Sequence, residues 1–267
     1  MSLTVLLIHG AWMNATCWEG FRARYEAAGH TVVAPSWPHT PDEVGVARAS
    51  VDPALREVGL EEIVAHYAEI ARGLPEPPVL VGHSFGGLIV QLLLDQGVGV
   101  AGVAIDSAPP KGVRPSPRAA ISSFKPSFAP GKVHTMSLGA FTRSFANTLD
   151  AAEAEALWSR YAVPTPGRPF GQVLASSANK LDWENPNRAP LLLIAGEDDK
   201  TITARMNERN AKKWSQSPAL TELVVMPGRD HALIVSPGWE EVADTALGWL
   251  VAHAPDQAPP GDGSESP

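Results

Sequence analysis

Short apolar runs alternate with helical patterns over most of this 267-residue chain, and this alternation limits the folds that the chain can adopt. The runs predict strands at 3–8, 31–34, 79–81, 100–105, 191–195 and 222–226. Helical spacing predicts helices at 18–28, 60–72, 88–95 and 204–214, with a last one from Trp239. Such an alternation is typical of a mostly parallel sheet covered by helices on both faces. We therefore predict an α/β fold.

The alternation breaks off in the middle of the chain. Prolines cluster at 109–130 and again at 164–169, on either side of a helical pattern at 138–161. Two boundaries follow, and the predicted units are an α/β core of residues 1–109 and 187–254, an insertion of residues 110–186, and a tail of residues 255–267. The tail contains mainly Pro, Gly, Ser and acidic residues, a composition that predicts disorder.

Charge and cysteine content exclude several classes of function. The chain has 21 Lys and Arg against 29 Asp and Glu, and a net charge of −8 disfavours binding to nucleic acid. With one cysteine, Cys17, it forms no internal disulfide. The apolar runs are too short to span a membrane, and no basic residue precedes the first one, as a signal peptide would require. We expect a cytoplasmic protein, a monomer or homodimer, that acts on a small molecule.

The most specific motif is Gly82-His83-Ser84-Phe85-Gly86, between a predicted strand and an apolar helix. The G-x-S-x-G spacing places the serine on a turn so tight that only glycine fits two residues to either side. Such a turn projects the hydroxyl into a cleft, and the helix that begins there directs free N–H groups at the same point. Ser84 is therefore the candidate nucleophile.

A serine nucleophile needs a base, and the base needs an acid that orients it. The strand at 191–195 leads into Gly196-Glu197-Asp198-Asp199, a loop with three consecutive carboxylates. The strand at 222–226 leads into Arg229-Asp230-His231, which makes His231 the candidate base. Nucleophile, acid and histidine thus follow one another in the chain, each at the end of a predicted strand.

The first predicted strand ends in His9-Gly10-Ala11-Trp12. Because Gly10 lets the backbone approach a ligand, the N–H of Ala11 is expected to point inward beside the N–H of Phe85. Two such donors form an oxyanion hole, in which each donor typically contributes about 2.7–4 kcal/mol to stabilising the transition state.

Together, these motifs resemble the α/β-hydrolase superfamily. In that superfamily the turn after the first strand, the serine turn known as the elbow (Gly82–Gly86 here), the carboxylate loop and an Asp-His-Ala motif occur in the same order. Within it, residues 9–30 (HGAWMNATCWEGFRARYEAAGH) are similar to the methylesterase and hydroxynitrile-lyase branch. The resemblance implies the α/β-hydrolase fold, with the insertion as a helical cap. It also implies Asp199 as the acid, with Asp198 and Asp106 as the alternatives.

Two departures from this branch favour hydrolysis. The resemblance implies, for a hydroxynitrile lyase, a lysine after the histidine and a threonine in the first turn, where this chain has Ala232 and Gly10. Related dehalogenases and epoxide hydrolases use a carboxylate nucleophile in place of Ser84. We expect a serine hydrolase that cleaves a carboxylic ester, thioester or lactone through an acyl-enzyme. A lyase or a cofactor-free oxygenase or perhydrolase with the same residues is the alternative.

The substrate pocket is predicted to be largely apolar. Its candidate walls are Trp12 and His83, next to the oxyanion donor and the nucleophile, and Trp183 of the insertion. Phe141 and Phe145 lie one helical turn apart, which favours packing against the core over ligand contact. No spacing of His or Cys indicates a metal site, and no cofactor is expected.

Overall fold

Six parallel strands form the central sheet of the computed structural model, which describes residues 2–114 and 131–255. In chain order the strands are β1 (Thr4–Ile8), β2 (Thr31–Val33), β3 (Val79–His83), β4 (Ala101–Ile105), β5 (Val133–His134), β6 (Thr165–Pro166), β7 (Leu191–Gly196) and β8 (Thr221–Met226). The central sheet has the order β2-β1-β3-β4-β7-β8, and β5 pairs antiparallel with β6 in the insertion. The predicted α/β fold is thereby confirmed. Residues 256–267, which make up most of the predicted disordered tail, lie outside the described residues.

The helices cover both faces of the sheet. They are α1 (Glu19–Ala27), α2 (Val44–Ala49), α3 (Leu60–Gly73), α4 (Phe85–Asp95), α5 (Leu138–Ala140), α6 (Ala151–Tyr161), α7 (Arg168–Ala175), α8 (Ala204–Trp214) and α9 (Trp239–His253), with short 3₁₀ turns at Ala15–Trp18 and Pro53–Glu57. Helix α4 is buried along almost its whole length because it is apolar on every side. Among the described residues, no helix has the length and apolar character needed to cross a membrane.

Strand composition follows position in the sheet. The central strands β1, β3, β4 and β7 are continuous apolar runs because helices cover both of their faces. Strand β8 lies at one edge of the sheet, and there Glu222, Val224 and Val225 are exposed. The edge strand is thus covered less completely than the central strands.

The order of the strands places a crevice at one edge of the sheet. The chain adds β2 on one side of β1 and then β3 on the other, so the winding reverses between β1 and β3. Ligand sites of open parallel sheets lie at this point, beyond the carboxyl ends of the strands. The turn after β1 and the elbow after β3 meet there, and the loops after β4, β7 and β8 end at the same edge.

The helical region predicted at 138–161 contains several helical segments. They are α5, a π-helical turn at Phe141–Phe145 and α6, with a break before α6. The break has two causes. Asp150 caps α6 through a reciprocal capping box with Glu153, and Thr148 is hydrogen-bonded to Asp230 of the core. A continuous helix would lose both interactions.

Candidate active site

The elbow holds Ser84 in a strained conformation at the start of α4. Its φ of 58° lies in the left-handed region, which costs a residue other than glycine about 1–3 kcal/mol. The turn leaves no room for side chains: a Cβ on Gly82 would lie 2.2 Å from the carbonyl oxygen of Gly86, and one on Gly86 would lie 1.9 Å from that of Ile8. The two glycines therefore allow a turn that a larger residue would prevent.

Ser84, His231 and Asp199 form a continuous chain of hydrogen bonds. The Oγ of Ser84 lies 3.0 Å from Nε2 of His231, and Nδ1 of His231 lies 2.6 Å from Oδ2 of Asp199. Asp199 also accepts the N–H groups of Thr201 and Ile202 on its other oxygen, at 2.6 and 2.9 Å. The three side chains are buried, with Ser84 keeping 7% exposure. This arrangement delivers a proton from the serine to a fixed imidazole.

Burial also sets the protonation of the base. It lowers the pKa of His231 below the ordinary value, although the nearby Asp230 charge opposes the shift. His231 is consequently neutral at neutral pH. With its Nδ1–H directed at Asp199, its Nε2 is free to accept the proton of Ser84.

The two alternative acids have different positions. Asp198 is exposed and directs its carbonyl, rather than its side chain, to a partner in the insertion, Asn147. Asp106 is fully buried at the end of β4, where its Oδ1 accepts the N–H of Gly196 at 2.8 Å. Of the three aspartates, Asp199 is the one that contacts His231.

The buried carboxyl groups of Asp106 and Asp199 lie close enough for their charges to affect each other. Burial and then the charge of Asp199 raise the pKa of Asp106 well above its ordinary range. Burial also raises the pKa of Asp199, but the N–H groups of Ile202 and Thr201 oppose that shift. Because Asp199 accepts three hydrogen bonds from N–H donors and Asp106 accepts one, the charge resides on Asp199 and the proton on Asp106.

The turn after β1 lies directly against the nucleophile. A Cβ on Gly10 would lie 2.8 Å from the Cβ of Ser84, so this approach requires glycine. His9 holds the turn: its Nδ1–H donates to the carbonyl of Gly10 at 2.8 Å, while its Nε2 accepts the N–H of Trp37 at 2.9 Å. That carbonyl and the N–H of Ala11 belong to one peptide group, so His9 orients the predicted donor.

Both predicted oxyanion donors are available. In the described part of the chain, no acceptor takes up the N–H of Ala11 or that of Phe85. Phe85 opens α4, whose positive end therefore faces Ser84. The backbone around the nucleophile is thus arranged to bind a negative oxygen.

His83 supports the base from behind. Its Nε2–H donates to the backbone carbonyl of His231 at 2.9 Å, and the two rings lie 4.6 Å apart. Burial, and then the neighbouring His231, lower the pKa of His83 well below its ordinary value, so it remains neutral. His83 thus fixes the loop that carries His231, called here the histidine loop. It was predicted as a pocket residue, and in the structure it contacts His231 and Phe145.

Several residues of the insertion also support the histidine loop. None of them belongs to a sequence motif. The ring of Phe145 meets that of His231 edge-on at 4.6 Å, and Phe141 stacks behind it at 4.8 Å. Asp230 accepts both the N–H and the hydroxyl of Thr148, each at 2.7 Å. The sequence offered one signal, the helical spacing of Phe141 and Phe145, which we interpreted as core packing.

The predicted pocket residues fall in two places. Trp12 lies against Phe170 of α7, whose ring meets that of Phe85 at 4.8 Å, so an aromatic wall adjoins the oxyanion turn. Trp183 packs instead on Trp214 at 4.8 Å, and Trp214 in turn donates to Gln91 in the interior of α4. Trp183 thus contacts the helical layer, and the rings that contact His231 are those of His83 and Phe145.

One group of side chains in the described residues has the spacing of metal ligands: His83, Asp106 and His231 offer atoms within 4.8 Å of one another. Both nitrogens of His231 are already hydrogen-bonded to Ser84 and Asp199, and His83 donates to the histidine loop. A metal ion there would have to displace the contacts that orient the base.

Comparisons with known proteins agree with this geometry. A model described as the alpha/beta hydrolase family matches residues 5–245 of the chain. Methylesterase 8 of Arabidopsis thaliana is 25% identical over 240 residues, which are 85% of this chain and 82% of that protein. Norfluorocurarine synthase 2 of a Strychnos species is 32% identical over 116 residues, which are 39% of this chain and only 40% of that protein.

Among solved structures, an extracellular alpha/beta-hydrolase from a Paenibacillus species superimposes with a TM-score of 0.70 at 21% identity. The match covers 95% of this chain and 100% of that one. At this identity, the likeness supports the fold and leaves the reaction to be argued from the site.

Proposed function

Because the chain belongs to the alpha/beta hydrolase family, we propose that it hydrolyses a small, largely apolar carboxylic ester, thioester or lactone through an acyl-enzyme. One observation carries the proposal. Ser84 Oγ, the two nitrogens of His231 and the Asp199 carboxylate are joined by hydrogen bonds of 3.0 and 2.6 Å. This is the geometry by which a serine hydroxyl becomes a nucleophile at neutral pH.

The reaction proceeds in two stages. Ser84 Oγ attacks the carbonyl carbon and gives its proton to Nε2 of His231, while the carbonyl oxygen becomes an oxyanion bound by the N–H groups of Ala11 and Phe85. His231 then protonates the leaving alcohol or thiol as the bond to the carbonyl carbon breaks. In the second stage His231 takes a proton from water as the water attacks the acyl carbon, and then gives that proton to Ser84 Oγ as the bond to the acyl group breaks and the acid leaves. Asp199 stabilises the imidazolium in both stages.

The surroundings of Ser84 favour a neutral substrate. The aromatic side chains of Trp12, Phe85 and Phe170 adjoin the oxyanion turn, and no lysine or arginine of the described residues is hydrogen-bonded to the three triad side chains. A neutral, apolar part of a substrate would pack well against these rings. The name of Methylesterase 8 supports a carboxylic ester as the substrate class.

We extend the proposal to the setting of the reaction. Each step uses side chains, backbone N–H groups and water, so the protein is proposed to need no metal and no cofactor. The insertion acts as a cap over the crevice, and the protein acts in the cytoplasm as a monomer or homodimer on a small-molecule substrate.

Hydrolysis of p-nitrophenyl esters by the wild type and by Ser84→Ala tests the proposal. We expect the substitution to abolish turnover while the melting temperature stays nearly unchanged, because the hydroxyl contributes chemistry rather than packing. Ser144→Ala is the matched control, since that hydroxyl donates to Ala140 within its own turn of helix. Hydrolysis that survives in Ser84→Ala would refute the assignment. Cyanohydrin cleavage or oxygen uptake by a wild type inactive on esters would favour the lyase or oxygenase alternative.

A further inference from the structure

The segment 163–166 of the insertion binds both backbone polar groups of Trp12. The N–H of Trp12 donates to Oγ1 of Thr165 at 2.8 Å, and its carbonyl accepts the N–H of Val163 at 2.9 Å. Trp12 follows the predicted oxyanion donor Ala11 directly in the chain. Two hydrogen bonds therefore connect the insertion to the turn that stabilises the oxyanion.

Trp12 needs such support because its backbone is strained. Its φ of 62° lies in the left-handed region, where a bulky residue persists only if its surroundings determine its conformation. Rotation of the peptide group between Ala11 and Trp12 would bring φ back to a negative value. The same rotation would turn the N–H of Trp12 away from Thr165 and leave a buried donor without a partner. The hydrogen bond to Thr165 thus opposes relaxation of the turn.

The strained peptide adjoins the catalytic one. The peptide group of Gly10 and Ala11, which carries the oxyanion donor, is held by His9 on its carbonyl side. The next peptide group, of Ala11 and Trp12, is held through its N–H by Thr165. Since both groups pivot on the Cα of Ala11, the direction of the donor depends on each of these contacts.

The hydroxyl of Thr165 is presented by a stiff part of the chain. Pro164 and Pro166 flank Thr165, and each proline ring fixes φ and so restricts the backbone. Strand β6 also pairs with β5, with His134 opposite Thr165. Thr165 is 2% exposed, so water has little access to the bond with Trp12. The second proline cluster of the sequence thus stiffens the backbone that presents Thr165.

We propose that Thr165 is a positioning residue for the oxyanion hole: through Trp12, its hydroxyl keeps the N–H of Ala11 directed at the reacting carbonyl oxygen. The inference rests on the proposed function, because it presupposes an oxyanion at Ser84. It makes the insertion part of the mechanism as well as a cover for the site. The effect of losing the hydroxyl falls on the transition state, since the carbonyl of a bound ester carries little charge.

Steady-state kinetics of Thr165→Val tests the proposal. Valine keeps the shape of threonine without the hydroxyl, and we expect kcat to fall by about tenfold or more with KM nearly unchanged, since complete loss of a donor costs about 10²–10³. Inhibition by a trifluoromethyl ketone, which forms an oxyanion on the serine, weakens by the same factor. Thr165→Ser restores the hydroxyl and is expected to regain most of the wild-type kcat.

Thr142→Val is the matched control, because that threonine of the insertion donates to Leu138 in its own helix and is expected to leave kcat unchanged. A folded Thr165→Val with wild-type kcat and ketone inhibition would overturn the proposal. If Thr165→Val does not fold, a folded Thr165→Ser with a tenfold loss of kcat would overturn it instead. Failure of the proposed function has a different signature: the wild type would then be no more active than Ser84→Ala.

Discussion

The carboxyl edge of the central sheet and the insertion both build the site, but they do so by different physical means. At the sheet edge, steric limits on the backbone determine the geometry. A Cβ on Gly86 or on Gly10 would collide with a neighbouring segment of the backbone, and Ser84 is held at positive φ. In the insertion, ordinary side chains determine the geometry: Thr148 donates a hydrogen bond to Asp230, and Thr165 accepts one from the N–H of Trp12. In the function that we propose, the edge supplies the reacting atoms and the insertion supports the loops that carry them.

The largest effect is expected at the sheet edge, in the acid. Asp199→Asn should lower kcat by about 10⁴-fold because the amide no longer stabilises the imidazolium and orients the ring in the wrong tautomer. Asp106→Asn is the matched control, since an amide oxygen still accepts the N–H of Gly196 and Asp106 does not contact His231, and we expect a loss below about tenfold. Ester kinetics of the two variants measure this difference. An equal loss in both would show that Asp106 carries the charge.

Gly86→Ala compares the two regions in stability. The new Cβ would meet the carbonyl oxygen of Ile8, and we expect the free energy of unfolding to fall by about 3 kcal/mol or more. In the insertion, a Cβ on Gly171 of α7 meets nothing within 4 Å, so Gly171→Ala should raise stability by about 0.5–1 kcal/mol. Urea denaturation measures both changes. A tolerated Gly86→Ala would contradict the steric account of the elbow.

Acid is expected to weaken the fold through His9 of the sheet edge. Burial lowers the pKa of His9 from 6.5 to about 4, so the unfolded chain binds a proton that the folded one excludes. The stabilisation is complete above pH 6.5 and is lost as the pH falls toward 4. His9 should thus cost about 2 kcal/mol of stability between pH 7 and pH 5. Urea denaturation at both values should show a smaller loss for His9→Asn, and an equal loss would assign the dependence to other groups.

The smallest effect is expected in the insertion, at Thr148. Thr148→Val removes one of the two hydrogen bonds to Oδ2 of Asp230 and keeps the other, from the backbone N–H. We expect the free energy of unfolding to fall by about 1–2 kcal/mol and kcat to fall less than about tenfold. Thr148→Ser should restore both. A complete loss of activity in a folded Thr148→Val would mean that the insertion contributes more than support.

The difference between the sheet edge and the insertion also explains which features could be predicted from the sequence. The six strands of the central sheet and the elbow around Ser84 were predictable because each depends on residues close together in the chain. The contact of Asp199 with His231 was predictable from chain order and family resemblance, since both follow adjacent parallel strands.

The contacts of the insertion were not predictable in this way. Thr165 and Thr148 lie in no motif, and their partners Trp12 and Asp230 are distant in sequence. The break within the helical region at 138–161 was not predictable either, because it depends on the contact between Thr148 and Asp230. Trp183 and Phe145 carried the same signal as insertion aromatics, and only the fold shows that Phe145 lies on His231.

The central claim, that Ser84 is acylated during turnover, is tested most directly by peptide mass spectrometry after treatment with a fluorophosphonate. The wild type should gain one phosphonyl group, on the peptide that contains Ser84, and should lose esterase activity in proportion to labelling. Ser84→Ala should remain unlabelled. A label on another residue, or esterase activity that persists in fully labelled protein, would contradict the account.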